Sequence, residues 1–194
     1  MPHLTFTDAQ GQTQRERIEG PQAEDLLWAA GVQCGRWAPR IHAVSSLPQL
    51  TYARELLALQ RRYAAVLTQR SRIAALRRGG APAHEGLHVH DDVELRAVLQ
   101  GALRLRLPAP TLGAWLAVTL HPCEWVALPA GLPHEGQPDV AHGVDMLCLY
   151  TRPGAWRSRP AWPGPPQAGA GPGGRDLPVG RSVQAEEPRL HIAA

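Results

Sequence analysis

The chain has 194 residues, of which 44% are hydrophobic, and 20 basic against 17 acidic side chains give a formal net charge of +3. This length suits one domain with a buried core, and the near balance of charge does not indicate a strongly acidic or basic partner. The N-terminus lacks the pattern of a secretory signal, no apolar run reaches the roughly twenty residues of a membrane span, and the three cysteines lack C-x-x-C spacing. We therefore expect a soluble cytoplasmic protein with reduced thiols, no membrane partner and no disulfide framework.

The first element that the pattern predicts is a short helix in "GPQAEDLLWAAGVQCGRW", residues 20–37. Gly31 is placed as a helix C-cap would be, and a strand or extended turn is expected over residues 32–37. The apolar residues expected to pack inward from this helix are Leu26, Leu27, Ala29 and Ala30.

Residues 46–78 have apolar side chains at roughly helical spacing, with Ser45 or Ser46 as a possible cap and Pro48 in the first turn. The pattern predicts helix here and leaves open whether it is one helix or two. Arginines cluster in this stretch, at Arg61, Arg62, Arg70, Arg72, Arg77 and Arg78. Such a cluster can bind nucleic acid, but arginine is the only basic residue of the chain, so we interpret it as a solvated helix face.

From residue 86 the pattern changes to short apolar runs separated by Gly and Pro, which is typical of all-β domains. In "GALRLRLP", Leu103, Leu105 and Leu107 alternate with arginines, so we predict a half-buried strand that pairs with the preceding strand through a turn at Gln100 and Gly101. The six runs are "LHVH", "VELRAVLQ", "ALRLRL", "AWLAVTL", "EWVALP" and "VDMLCLY". They predict a small β-barrel or jelly roll after a helical N-terminal part.

Beyond Trp156 the sequence is rich in Pro and Gly and holds too little apolar material to offset the entropy of ordering it. We therefore predict a folded domain over residues 1–156 and a flexible tail over residues 157–194.

A candidate metal site lies in "EGLHVHDDVELR", residues 85–96. Side chains two apart in a strand face the same side, so His88 and His90 point together, and Glu94 shares their parity if no turn intervenes at Asp91 and Asp92. A fourth donor, His134, follows the turn in "LPAGLPH", residues 128–134.

Three imidazoles and one carboxylate form a donor set of borderline hardness that suits Fe(II), Ni(II), Mn(II), Co(II) or Zn(II). On an octahedral ion, four protein ligands leave two positions for a chelating substrate. The other histidines have no convincing partner in the sequence and are interpreted as surface or turn residues: His3, His42, His84, His121, His142 and His191.

The order of these motifs resembles the acireductone dioxygenases, cupin-fold enzymes of methionine salvage. The H-x-H-x-x-x-E motif of that family is similar to His88, His90 and Glu94, its following V-R to Leu95 and Arg96, and its P-A-G-x-P-H turn to residues 129–134. Two flanking segments also resemble it, "GVQCGRWAP" (31–39) and "YTRPGAW" (150–156), so the likeness spans residues 1–156.

The resemblance implies that the four donors bind one Fe(II) or Ni(II) per chain, that an enediol substrate chelates the metal, and that Arg96 stabilises the substrate anion. The implied products are a 2-oxo acid and formate with iron, or a carboxylic acid, formate and carbon monoxide with nickel. The implied partners are a small enediol and O₂, and the implied assembly is a monomer or weak homodimer.

Several residues depart from the family pattern. Glu135 follows the last histidine where the family has an aromatic residue, and Cys148 stands where the family has a second arginine. The aromatic residues available to pack a substrate are Trp115, Trp125 and Tyr150, of which we assign Trp125 and Tyr150 to substrate binding. Two other classes stay open: a non-catalytic metal-binding cupin that senses a small ligand, and a cupin isomerase or lyase.

Overall fold

The computed structural model describes residues 3–7, 13–39, 51–75, 85–109 and 114–161. These residues form mostly strands, as the pattern of short apolar runs predicts. In chain order the elements are β1 (His3–Thr7), β2 (Thr13–Ile18), α1 (Pro21–Ala29), β3 (Gln33–Arg36), α2 (Ala53–Tyr63), β4 (Leu67–Ile73), β5 (Glu85–His90), β6 (Glu94–Gly101), β7 (Leu103–Ala109), β8 (Ala114–Leu120), β9 (Glu124–Leu128), β10 (His134–Pro138), β11 (Val144–Tyr150) and β12 (Ser158–Pro160).

The strands form two antiparallel sheets whose facing side chains build one core. The larger sheet has the order β12-β5-β10-β7-β8-β1-β2, and the smaller has the order β3-β9-β6-β11-β4. Leu103, Leu105 and Leu107 are fully buried in this core, as their alternation predicts, and they meet Val126 and Met146 of the smaller sheet. The mainly β fold class is thus confirmed.

The smaller sheet also has a buried outer face. Leu56 and Leu59 of α2 pack there against Leu95, Leu147 and Leu149, which come from β6 and β11. The sheet therefore separates two apolar layers, and adjacent residues of its strands belong to different layers.

Helix α1 forms where the sequence predicts it and ends before Gly31, whose φ of +74° is the left-handed conformation that glycine adopts readily. Ala23 and Leu27 are its buried residues, whereas Ala29, which we expected to pack inward, is exposed.

The predicted helix over residues 46–78 is only partly correct. Helix α2 ends at Tyr63 and is capped by Ala64, which has the left-handed φ of 53°, and the chain then turns into β4. Strand β4 pairs with β11 along its whole length, from Leu67 opposite Tyr150 to Ile73 opposite Val144. These long-range backbone hydrogen bonds override the local helical pattern. Residues 46–50 and 76–78 lie outside the described residues.

The predicted pairing of β6 with β7 is wrong, because the chain crosses between the sheets at Gly101. Strand β6 pairs with β9 and β11, whereas β7 pairs with β8 and β10. Gly101 has a φ of +74°, and a Cβ there would lie 2.0 Å from the backbone oxygen of Gly143. Only glycine fits this crossing.

The C-terminal part of the described chain continues past Trp156. Strand β12 lies within the predicted tail and pairs with β5, and Ala161 is buried. Residues 162–194 of the predicted tail lie outside the described residues. No helix in the described part of the chain is long and apolar enough to span a membrane.

Candidate metal centre

Three histidines converge at one end of the larger sheet. His88 and His90 alternate on β5, and His134 opens β10 directly opposite His88 in the antiparallel register. All three are buried, and their ligand nitrogens lie within 4.8 Å of one another. Among the described residues this is the only set of His, Cys, Asp or Glu side chains with such spacing.

The hydrogen bonds of the three rings fix their tautomers. Each Nδ1 faces a backbone carbonyl oxygen: that of Gly86 at 2.6 Å from His88, of Ala155 at 3.2 Å from His90, and of Leu132 at 3.0 Å from His134. A carbonyl can only accept, so each Nδ1 carries the proton. Each Nε2 therefore holds a lone pair, which is the form in which histidine binds a metal.

Glu94 adds a carboxylate from the other sheet. Its Oε2 lies 3.2 Å from Nε2 of His134 and 3.5 Å from Nε2 of His90. These three atoms are buried and form no hydrogen bond. Lone pairs facing one another repel, and a cation among them removes that repulsion.

The two distances from Glu94 Oε2 to the nitrogens of His134 and His90 are also close to those between two ligands of one ion. Two ligand atoms about 2.1 Å from one ion and about 90 to 109° apart are separated by about 3.0 to 3.4 Å. The residues present thus fit a divalent metal of borderline hardness. Asp91 and Asp92 form a bend between β5 and β6, so Glu94 does not share one strand with the two histidines, but both segments still face the interior.

Arg96 lies beside Glu94 on the inward face of β6. Its Nε is 3.1 Å from Glu94 Oε1, and the two side chains are only 3% and 2% exposed. Burial alone would raise the pKa of Glu94, but the Arg96 guanidinium, together with the nearby His134 and His90, outweighs it and holds that pKa well below its ordinary value. The carboxylate is therefore ionised and available as a ligand.

Tyr150 and Cys148 line the same inward face. In the antiparallel register Tyr150 is opposite Glu94, and Cys148 is opposite Arg96. Burial, with Cys148 and Glu94 nearby, raises the pKa of the Tyr150 phenol well above its ordinary value. The phenol therefore stays protonated and is able to donate a hydrogen bond.

The structure does not bring Trp125 to this site. Trp125 lies on the outer face of the smaller sheet, in the layer beneath α2, where its ring packs over Gly35 and meets Tyr63 edge-on. Successive side chains of a strand point to opposite faces of the sheet. Val126 faces the interior, so its neighbour Trp125 faces outward. Trp115 contacts Arg106 rather than the histidines.

The acidic Glu135 also points away from the histidines. It follows His134 directly and so projects to the opposite face of β10, where its Oε2 lies 3.0 Å from Nη1 of Arg106. This departure from the family pattern therefore adds no negative charge at the histidines.

The remaining described histidines do not join the cluster. His142 bonds the exposed Asp139, and the rings of His3 and His121 lie 5.4 Å apart. His42, His84 and His191 lie outside the described residues. The predicted cluster of arginines is also divided, since Arg70 and Arg72 lie on β4 and bond Asp145.

The sequence pointed to residues 150–156 only through the resemblance and gave this segment after β11 no role at the site. Its Ala155 supplies the carbonyl that orients His90, and its Thr151 bonds Asp92. A backbone acceptor leaves no signal in the sequence. The paired aspartates after His90 were the available hint, because they are polar residues next to a buried ligand.

No sequence-family profile and no curated protein matches the chain. Among solved structures, it is similar to acireductone dioxygenase from Bacillus anthracis, determined with a cadmium ion in its active centre. The TM-score is 0.65 at 14% identity, over 82% of this chain and 98% of that one.

Two less similar structures are a dTDP-6-deoxy-D-glucose-3,5-epimerase from Legionella pneumophila and an oxalate decarboxylase from Bacillus subtilis. The epimerase has a TM-score of 0.38 at 18% identity, over 77% of this chain and 72% of that one. The decarboxylase has a TM-score of 0.36 at 20% identity, over 43% of this chain and 20% of that one. The likeness to the dioxygenase shows the fold, and this chain has a cupin fold with a candidate site for a single metal ion.

Proposed function

We propose that the chain is a cytoplasmic acireductone dioxygenase of methionine salvage, active as a monomer or weak homodimer. It would convert 1,2-dihydroxy-3-keto-5-methylthiopentene and O₂ into a 2-oxo acid and formate. Both atoms of O₂ enter the two products, so no further oxidant or reductant is needed.

The observation that supports this proposal most strongly is the convergence of three buried histidines, two of which have Nε2 within 3.5 Å of the ionised carboxylate of Glu94. His88, His90, Glu94 and His134 would hold one Fe(II) or Ni(II). When bound, the metal would hold the enediolate and O₂ together and let electrons pass between them. The similarity in fold to a dioxygenase over 82% of the chain favours this chemistry over other reactions of metal sites.

Arg96 would recognise the negative charge of the substrate. Its guanidinium remains charged at all relevant pH values, and it is buried beside the ligand carboxylate. In an interior lined by leucines, such a fixed cation stabilises an anion far more than it would in water.

Tyr150 would orient the substrate. It lies on the same inward face as Glu94 and Arg96, and its phenol stays protonated. It would donate a hydrogen bond to a substrate oxygen and would not act as a base. Trp125 has no part in this proposal, because it lies on the other face of the sheet.

The test is an oxygen-electrode assay of the chain loaded anaerobically with Fe(II). We expect one O₂ consumed per acireductone and formate released. Uptake no greater than that of the metal-free chain would contradict the proposal. Turnover of the substrate under nitrogen would instead favour an isomerase or lyase, and saturable binding without turnover would favour a ligand sensor.

A further inference from the structure

The segment that follows β11, residues 151–161, returns to the strand that carries two of the proposed ligands. We call this segment the C-terminal strap. Its strand β12 pairs with β5 so that Ser158 is opposite His90 and Pro160 is opposite His88. The N–H of Ala161 then donates to the carbonyl of Leu87 at 3.0 Å. The strap thus covers the edge of the larger sheet beside the histidines.

The strap supplies the hydrogen bond that orients His90. The carbonyl oxygen of Ala155 accepts from Nδ1 of His90 at 3.2 Å, and Ala155 is buried. The acceptors of the His88 and His134 rings are local in sequence, since each carbonyl belongs to a residue only two positions from its histidine. The orientation of His90 therefore depends on a distant part of the chain staying in place.

The side chain of Asp92 holds the start of the strap to the chain that follows His90. Asp92, two residues after His90, accepts the hydroxyl hydrogen of Thr151 through Oδ2 and the N–H of Val93 through Oδ1, the latter at 2.8 Å. Arg152 Nε lies 3.4 Å from the same Oδ2. The Asp92 side chain is only 17% exposed, so this contact is sheltered from water.

A second contact at the far end of the strap joins Asp91 to Arg159, with Oδ1 and Nε 2.9 Å apart. Both side chains are about two-thirds exposed. Exposed ion pairs of this kind contribute little. The Asp92 contact is therefore the one that matters for the position of Ala155.

We propose that Asp92 and Thr151 are positioning residues for the metal ligand His90, acting through the carbonyl of Ala155. This inference rests on the proposed function in so far as His90 binds a metal there. Partners that orient a ligand histidine fix its tautomer and ring angle, and losing one typically weakens metal binding about 10- to 100-fold. Thr151 and Asp92 would thus set metal affinity without touching the metal.

The test uses the full chain and Thr151→Val, which keeps the shape of the side chain and removes its hydroxyl. Affinity for Zn(II) and Ni(II) is measured by chelator competition, and we expect roughly a 10-fold or greater loss. Long-range ¹H–¹⁵N spectra of the Zn(II)-loaded chain report the tautomer of each histidine. We expect the Nδ1–H signal of His90 to broaden by solvent exchange while those of His88 and His134 stay sharp.

Three control variants separate positioning from general loss of structure. Thr68→Val removes a hydroxyl that bonds Gln60 at 3.1 Å, away from the site, and should leave affinity unchanged. Thr151→Ser keeps the hydroxyl and should restore wild-type behaviour. Asp91→Asn removes one charge of the exposed pair and should change affinity less than twofold.

The outcomes are distinguishable. Unchanged affinity and an unchanged His90 signal in Thr151→Val, with normal metal binding by the wild type, would overturn this inference alone. A wild-type chain that takes up neither Zn(II) nor Ni(II) would overturn the metal centre and the inference together. If Thr151→Val does not fold, Asp92→Asn is measured in the same way, and wild-type values there would overturn the inference.

Discussion

The two faces of the smaller sheet are built from adjacent residues of the same strands, yet at the start of β6 they differ in chemistry. On β6 the inward face carries Glu94 and Arg96, and the outward face carries Leu95 and Ala97 beneath α2. Both faces are buried, so burial alone does not distinguish them. The difference is that the inward face adds a pair of charges beside the candidate metal site to its apolar core, whereas the outward face is an apolar layer that holds a helix.

The largest expected effect concerns the inward group of ligands. His134→Ala should weaken metal binding by roughly 100- to 1,000-fold, since one of four ligands of a site worth about 10 to 16 kcal/mol is lost. Chelator competition measures the affinity. His142→Ala is the matched control, because His142 is exposed and bonds only Asp139 among the described contacts. Equal losses in the two variants would contradict the proposed ligand set.

A substitution on the outward face should change the stability of the fold and leave the activity unchanged. Trp125→Ala should lower the free energy of unfolding by about 3 to 4 kcal/mol, because it opens a cavity where the ring packs over Gly35. Urea unfolding of the metal-free chain measures this loss. The KM of the loaded chain should stay within about twofold of the wild type. A large rise in KM would instead support a role of Trp125 in substrate binding.

Removal of the inward cation should affect turnover more than metal content. Arg96→Ala should lose about 100-fold in kcat/KM, since a fixed charge near the reacting anion is lost, and should retain the metal, because a bound cation would itself keep Glu94 ionised. Oxygen uptake and metal analysis of the same sample make the comparison. Arg104→Ala is the control, because Arg104 lies on β7 at a position that alternates with the buried leucines. Undiminished turnover in Arg96→Ala would remove its proposed role.

The smallest effect concerns charge at the rim of the outward face. Asp145 accepts hydrogen bonds from Arg70 and Arg72 at 2.6 to 3.0 Å. Burial opposes its ionisation, but these arginines hold its pKa below the ordinary value. Asp145→Asn should cost about 1 kcal/mol of unfolding free energy at neutral pH.

The loss of unfolding free energy in Asp145→Asn should become smaller as the pH falls. A carboxyl whose pKa is lowered on folding stabilises the fold above its unfolded pKa of about 3.9, and that contribution is lost as the pH falls through the folded value. The gap between wild type and Asp145→Asn in urea unfolding should therefore shrink below about pH 4. A gap that stays constant down to pH 2 would contradict this account.

Much of the barrel could be predicted because its signals are local. The alternation of Leu103, Leu105 and Leu107 indicates a strand with one buried face, and each predicted apolar run from residue 87 onward contributes to a strand. The common face of His88 and His90 was also predictable, since parity within a strand is a short-range property, whereas His134 was assigned from the order of motifs.

What could not be predicted depends on contacts between distant segments. Strand β4 was predicted as helix because its pairing with β11 leaves no mark in its own sequence. The exchange of sheets at Gly101 and the placement of Trp125 on the outer face both follow from which strands become neighbours. The same holds for the carbonyl of Ala155, which orients His90 from 65 positions away.

The separate origin of Glu94 has a consequence for handling the protein. The three histidines belong to one sheet and Glu94 to the other, so a bound ion would cross-link the two halves of the barrel. Binding energy then adds to the resistance of the whole barrel to heat. The melting temperature of a preparation would record how much metal it acquired, and a thermal scan could rank candidate ions before any turnover is measured.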